Sequence, residues 1–237
     1  MTDYPSLERR LSDPLGLDRR PVAVAFRDAP PAGVPRFPEQ APSGCSFWRL
    51  AAEGRTFYTV PADHYGCPVG SHTHGFALPE EPARRLGETL ALMAEVGYLR
   101  PEEVKDIARL SPAPAVVVYA PLGDTPVEPD VVLLAGRPGR LMLLGEAAAR
   151  AGVAVETPLL GRPTCMALPV ALARGVVGSL GCIGNRIYTG LGEDELYVVV
   201  PGRALGAIAD ALATVAAANR TLEAYHRDRR RAGGAAA

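Results

Sequence analysis

The chain has 237 residues, of which 48% are hydrophobic, and its formal net charge is -1. This length fits one large domain or two small ones, and the hydrophobic content is enough for a substantial core. The near-neutral charge argues against a nucleic-acid partner and against a strongly acidic substrate.

The first half of the chain alternates short strands, rich in β-branched residues, with helices of uneven length. Leu7, Leu11 and Leu15 give the N-terminal segment one apolar face, and a proline-rich loop over residues 28–43 precedes a helix that starts near Cys45. The predicted elements are, in chain order, a helix over 6–17, a strand over 21–26, a helix over 45–54, a strand over 56–60, and helices over 83–96 and 102–110.

The second half opens with the two strongest strands, residues 115–120 and 130–135, whose continuous apolar character predicts burial on both faces. It closes with a long helix over 203–226, and one stripe of that helix should be buried against a sheet. The residues expected to be buried are Leu205, Ile208, Leu212 and Val215, and Leu222 continues the same stripe toward the end of the helix. The other predicted elements are a helix over 138–151, a strand over 152–156, a helix over 169–174 and a strand over 195–200.

Strands and helices do not alternate as regular βαβ units, so the expected class is α+β, with a mixed sheet and flanking helices. We expect an N-terminal arm over residues 1–20, a single domain over 21–226 and a disordered basic, Gly/Ala-rich tail over 227–237. The domain divides into two candidate halves, 21–110 and 111–226, that face each other across a cleft. The sequence has no dinucleotide-binding fingerprint and no phosphate loop.

Each half contains a cysteine inside a glycine-rich turn. Cys67 lies in Gly66-Cys67-Pro68-Val69-Gly70, and Cys182 lies in Gly181-Cys182-Ile183-Gly184. Each turn follows an earlier cysteine, Cys45 or Cys165, by roughly a helix and a strand, and these four are all the cysteines of the chain. We interpret this repeated pattern as a duplicated half-domain. The duplication would bring both pairs of cysteines to one site, where the four sulfur atoms should converge.

Several segments resemble, in the same order, the prokaryotic family called domain of unknown function 169. They are residues 21–26, 45–54, both Gly-Cys turns, 128–132 and 194–196, and the similarity covers roughly residues 21–213. The family pattern has a cysteine opening each helix and one in each glycine turn, followed here by Gly184-Asn185-Arg186-Ile187-Tyr188-Thr189-Gly190. The segment Ser71-His72-Thr73-His74-Gly75 departs from the apolar residues expected there. The family has no established activity, so the resemblance implies a site without naming its chemistry.

Four thiolates match the ligand count of a zinc ion or of an iron–sulfur cluster. The chain lacks the close Cys-x-x-Cys pairs of zinc ribbons, so the fold itself would have to bring the ligands together. The glycines beside Cys67 and Cys182 favour a cluster, because they let backbone N–H groups approach sulfur. We therefore expect an iron–sulfur cluster, with zinc or no cofactor as the alternatives, in a redox or accessory role.

Two other interpretations stay open. The cysteines can be small buried core residues of a small-molecule-binding or regulatory module. In the second interpretation the protein is a thiol-dependent enzyme with Cys45 as its nucleophile. Cys45 lies near a predicted helix N-terminus, and such a position lowers the pKa of a thiol.

Further candidate site residues surround the two Gly-Cys turns. Arg186 is expected to pair with an anionic group of a bound cofactor, or else to cap the nearby loop over residues 192–195. His72 and His74 are weaker metal candidates, which share one face if their segment is extended, and they should border the same concave site. The full set of predicted cofactor-binding residues is Cys45, Cys67, Cys165, Cys182, Gly66, Gly70, Gly181, Gly184 and Arg186.

The longest apolar stretch, residues 113–121, is well short of the ~20 residues that span a membrane, and the N-terminus has no signal-peptide pattern. We therefore expect a cytoplasmic protein whose cysteines stay reduced, with a small-molecule or redox partner and no membrane or nucleic-acid partner. The sequence leaves the reaction, the substrate and the oligomeric state undetermined.

Overall fold

The structure is a computed structural model that describes residues 2–39 and 41–234. It confirms the α+β class, with one mixed sheet flanked by helices. The helices are α1 (Tyr4–Leu15), α2 (Cys45–Ala52), α3 (Pro68–Thr73), α4 (Glu80–Glu95), α5 (Pro138–Arg150), α6 (Ala167–Arg174), α7 (Ile183–Thr189) and α8 (Leu205–Gly234). The strands are β1 (Val22–Arg27), β2 (Phe57–Thr59), β3 (Val116–Pro121), β4 (Val131–Gly136), β5 (Val155–Glu156), β6 (Val176–Ser179) and β7 (Leu196–Pro201).

The seven strands lie in the order β2-β3-β1-β4-β7-β6-β5, and every neighbouring pair is antiparallel except β5 and β6. Strands β3, β4 and β7 are buried along their whole length, as their continuous apolar sequences predict for a sheet that is covered on both faces. Alternate side chains therefore feed two separate hydrophobic cores.

The sheet contains the same arrangement twice. The first copy runs through β1, α2, β2, α3 and β3, and its strands lie in the order β2-β3-β1. The second copy runs through β4, α6, β6, α7 and β7, with α5 and β5 inserted after β4, and its strands lie in the order β6-β7-β4. Because β1 and β4 pair antiparallel at the centre, a pseudo-twofold axis relates the two copies.

The boundary between the copies differs from the predicted one at residue 110. Strand β3 belongs to the first copy, because it pairs with both β1 and β2, so the boundary lies between residues 121 and 131. Strand β6 and the helices α3 and α7 were not predicted from the sequence, since each has only four to seven residues and a glycine near its start or end.

Helices α1, α5 and α8 share one core with one face of the sheet, and α2 and α6 lie on the other face. Leu7, Leu11 and Leu15 of α1 are buried in that first core, where α1 packs against α5 and α8. The N-terminal segment is therefore part of the packed domain and is not a separate arm.

Helix α8 extends beyond its predicted end at residue 226. Its first half buries Leu205, Ile208 and Leu212 in the core shared with the sheet, α1 and α5, but Leu222 is 58% exposed and belongs to neither core. The predicted disordered tail is therefore helical as far as Gly234, and its residues 235–237 lie outside the described residues.

The predicted helix over residues 102–110 is only a 3-10 turn, Pro101–Asp106. Within the described ranges of the chain, none of the helices combines the length and the apolar character needed to cross a membrane.

Candidate functional site

Each of the four cysteines lies at the start of a helix. Cys45 is the first residue of α2, and Cys67 and Cys182 are the N-cap residues of α3 and α7. Cys165 lies in the 3-10 turn Thr164–Met166, which leads directly into α6. Both copies of the repeat therefore place their cysteines at equivalent points.

The two copies interlock at the pseudo-twofold axis. Helix α2 of the first copy packs against α7 of the second, and α3 of the first copy packs against the 3-10 turn that carries Cys165. As a result, all four cysteines line one cavity of about 410 Å³. None of the four forms a disulfide, and Cys45 and Cys165 are buried while Cys67 and Cys182 are half-buried.

Burial controls the ionisation of the two inner thiols. Burial raises the pKa of Cys45 to about 12, a value that includes a lowering by Asn185 beside the thiol and smaller increases from the nearby Cys67 and Cys182. The pKa of Cys165 is also raised well above its usual value, mainly by burial. The expected lowering of the Cys45 pKa by the N-terminus of α2 is therefore outweighed by desolvation.

Backbone groups lie close to the two outer sulfur atoms. The N–H of Asn185 donates to Sγ of Cys182 at 3.4 Å. Gly70 occupies the equivalent position in the first copy, three residues after Cys67, and a Cβ atom there would lie 3.0 Å from Sγ of Cys67. Gly66 instead lets the chain pass the carbonyl of Ala41, which a side chain at this position would strike.

The structure brings some of the predicted site residues together and separates others. The four cysteines, Gly66 and Gly184 line the cavity. Among the described residues that line it, five of the predicted candidates are missing: Gly70, Gly181, Arg186, His72 and His74.

Arg186 lies on α7, and its guanidinium contacts both the segment before that helix and the loop after it. It donates to the carbonyl oxygens of Leu180 and Gly192, and to that of Glu195 at 3.2 Å. This arrangement matches the alternative prediction, in which Arg186 caps the local loop, and it does not bring the guanidinium to the cavity.

The two histidine candidates do not share a face, because their segment is helical and not extended. His72 is half-buried on α3, and His74 is the C-cap residue of that helix. The His74 ring is buried in an aromatic cluster with His64 and Phe76, and its Nδ1 lies 2.7 Å from the carbonyl oxygen of Gly70. Burial lowers the pKa of His74 to about 4, so the ring is neutral at pH 7.

Two polar side chains at the site were not predicted from the sequence. Asn185 is 1% exposed and lines the cavity, yet neither atom of its amide has a hydrogen-bond partner among the described residues. The hydroxyl of Tyr119 is buried beside the thiols, also without a partner in the described part of the chain, and burial followed by the charge of Cys45 raises its pKa. The sequence could have indicated Asn185 as a site residue, because it follows Gly184 inside the second Gly-Cys segment. Nothing in the sequence distinguishes Tyr119 from other strand residues.

The side chains at the cavity are not arranged as a site for a single metal ion. Within residues 2–39 and 41–234, no three His, Cys, Asp or Glu side chains are grouped closely enough to hold one metal ion. A tetrahedral zinc site would need sulfur atoms about 2.3 Å from the metal and hence within roughly 4 Å of one another.

Comparisons with known proteins agree with the resemblance found in the sequence. The family model for domain of unknown function 169, described as an uncharacterised ArCR, matches residues 10–211. The uncharacterized protein MJ0308 of Methanocaldococcus jannaschii is 26% identical over 217 residues, which cover 86% of this chain and 91% of that protein. No solved structure gives a significant match. The matched region contains the whole sheet and all four cysteines, and it ends before the exposed half of α8.

Proposed function

Because the chain belongs to the family of domain of unknown function 169, and the family region includes the complete cysteine cavity, we propose that it binds an iron–sulfur cluster through Cys45, Cys67, Cys165 and Cys182. In this proposal the protein serves in a redox or accessory role. Thiolates are the usual protein ligands of such clusters, and four of them complete the common ligand set.

One observation carries the proposal: four cysteines from two copies of a repeat, far apart in sequence, line the same cavity. Duplication alone explains why the cysteines lie at equivalent points of both copies, but it does not require all four to line one cavity. A shared ligand would explain that convergence, because it needs one donor from each of four helix starts.

The cavity and the backbone beside one thiol support a cluster over a single zinc ion. In a cluster the cysteines bind separate iron atoms, so their sulfur atoms are further apart than around one ion. All four cysteines line one cavity of about 410 Å³, which leaves room for this wider arrangement. The backbone N–H that donates to Sγ of Cys182 is the kind of contact that tunes a cluster.

The alternative of a nucleophilic Cys45 is less well supported. A reactive cysteine needs a low pKa and access to solvent, whereas Cys45 is 5% exposed and burial raises its pKa to about 12. A cytoplasmic location is part of the proposal, because four free thiols persist in a reducing compartment.

The direct test is purification without oxygen, followed by measurement of iron, acid-labile sulfide and visible absorption per chain. Cys67→Ser and Cys182→Ser keep the size of the side chain and replace the soft ligand. We expect each to lower the retained iron by about 10-fold or more, while the protein stays folded.

A matched control is Met142→Ser, which removes a sulfur atom from an exposed position on α5, on the other side of the sheet. Its iron content should equal that of the unaltered protein. A colourless protein without iron and sulfide, or an iron content that none of the cysteine substitutions alters, would rule out the cluster.

A further inference from the structure

The two copies of the repeat differ most after their Gly-Cys helices. In the second copy a short loop, residues 190–195, links α7 to β7. In the first copy residues 74–115 link α3 to β3, and this long segment contains α4 and the 3-10 turn Pro101–Asp106. The repeated elements alone position the four cysteines around the cavity. The inserted segment, residues 74–115, therefore has a role other than positioning the thiols.

The inserted segment supplies an apolar wall of the thiol cavity. Leu90 and Met93 of α4 line the cavity and are half-buried, and Val96 beside them is 66% exposed. Of the residues of α4, all of which the structure describes, only Pro82 is buried. A helix whose apolar face is left partly open toward a cavity gains stability when a molecule fills that cavity.

The charges at this cavity do not suit an ionic ligand. Among the described residues that line it, the charged ones are Glu103 and Arg162, and they pair with each other at 2.7 Å. A carboxylate or phosphate in the cavity would have to break this pair or stay unpaired among hydrocarbon side chains.

The cavity also contains one polar group that is ready for a ligand. The amide of Asn185 is almost completely buried and lines the cavity beside the Cys45 thiol, and neither its oxygen nor its nitrogen is in hydrogen-bonding geometry with a partner in the described part of the chain. A buried amide without partners costs free energy, and a bound carbonyl or hydroxyl group would satisfy it.

We infer that the cavity binds an uncharged, largely apolar small molecule with one carbonyl or hydroxyl group, which bonds to Asn185 while its hydrocarbon body lies against α4. The inference rests on the proposed function in one respect: this molecule would be the substrate or effector that meets the cluster. The binding site itself depends on Leu90, Met93 and Asn185, which are separate from the four ligands.

The probe is acetylnaphthalene, an uncharged aromatic ketone, measured by equilibrium dialysis because that readout is independent of visible absorption. Naphthoate carries a charge in place of the ketone, and ethylnaphthalene lacks the oxygen. We expect acetylnaphthalene to saturate and to bind about 10-fold more tightly than naphthoate. Equal affinity for the two would overturn the inference.

Leu90→Glu places a charge on the apolar wall and should weaken binding of acetylnaphthalene by about 10-fold. Ala91→Glu, on the exposed side of the same helix, is the matched control and should leave the affinity unchanged. If Leu90→Glu does not fold, Met93→Glu tests the same wall. Asn185→Leu should weaken binding of acetylnaphthalene and leave that of ethylnaphthalene unaltered.

Iron is counted on the same samples, so the two proposals can fail separately. If the probes bind as expected to a protein that contains no iron, the result supports the apolar binding site and contradicts the iron–sulfur cluster. If neither Leu90→Glu nor Asn185→Leu changes the binding of acetylnaphthalene, the inference of an apolar site is wrong, whatever the iron content.

Discussion

At the scale of single residues, burial decides the chemistry of the polar groups in this protein. His64 and His74 lie next to each other in the aromatic core behind the cysteines, with ring centroids 5.1 Å apart. Burial lowers the pKa of both histidines, that of His74 to about 4, and the neighbouring His74 also lowers that of His64. Both rings are therefore neutral in the folded protein at pH 7.

This pair predicts a loss of stability in mild acid. Below about pH 6.5 the unfolded chain takes up protons on these histidines, whereas folded His74 does so only near pH 4, so the free energy of unfolding falls as the pH falls through this window. Between pH 7 and pH 5 we expect a loss of about 2 kcal/mol from His74 alone, measured by urea unfolding. His74→Phe should remove the contribution of His74 and leave that of His64, so the dependence becomes shallower, and His226→Gln, at an exposed position of α8, is the matched control.

A second prediction concerns Arg186, whose guanidinium donates to three backbone carbonyls. Arg186→Lys keeps the charge but cannot make the same set of bonds, so it should lower the free energy of unfolding by about 1–3 kcal/mol. Iron per folded molecule should stay unchanged. If the variant instead loses iron while its melting temperature stays unchanged, Arg186 binds the cofactor and is not a structural residue.

At the scale of elements, the same kind of apolar stripe has two different outcomes on α8. Leu212 is fully buried by the sheet, α1 and α5, and Leu222, further along the stripe, is 58% exposed. Both halves of α8 have the same apolar periodicity, but only the first half packs against other elements of the fold.

The two leucines form a matched pair for mutation. Leu212→Ala should lower the free energy of unfolding by about 2–5 kcal/mol, because it leaves a cavity in a closed core. Leu222→Ala should change it by no more than about 0.5 kcal/mol. Chemical unfolding of both variants checks this, and a large effect at Leu222 would reveal a contact beyond the single chain.

At the scale of the whole molecule, the cavity lies at the interface of two copies of one motif. Each copy contributes two cysteines, so a cofactor held by all four would join the copies across the pseudo-twofold axis. A ligand that binds only the folded chain stabilises it by mass action.

If the proposed cluster is present, its removal should have two global effects. The melting temperature should fall when a chelator strips the iron, and reloading at neutral pH should release protons, because the Cys45 thiol has a pKa of about 12 before it is ligated. Calorimetry in buffers of different ionisation enthalpy measures the released protons. Reloading without proton release would mean that the buried thiols are not the ligands.

The sequence by itself determined the α+β class, most of the strands and the pairing of each Gly-Cys turn with an earlier cysteine, because apolar periodicity and glycine turns are local signals. Only the tertiary structure decided which candidates meet. The four cysteines share a cavity because two copies of the motif interlock, whereas Arg186 turns to its own loop and His74 enters the core because α3 is helical and not extended. Asn185 and the apolar wall of α4 gain their importance from burial and proximity, which depend on contacts between residues far apart in the chain.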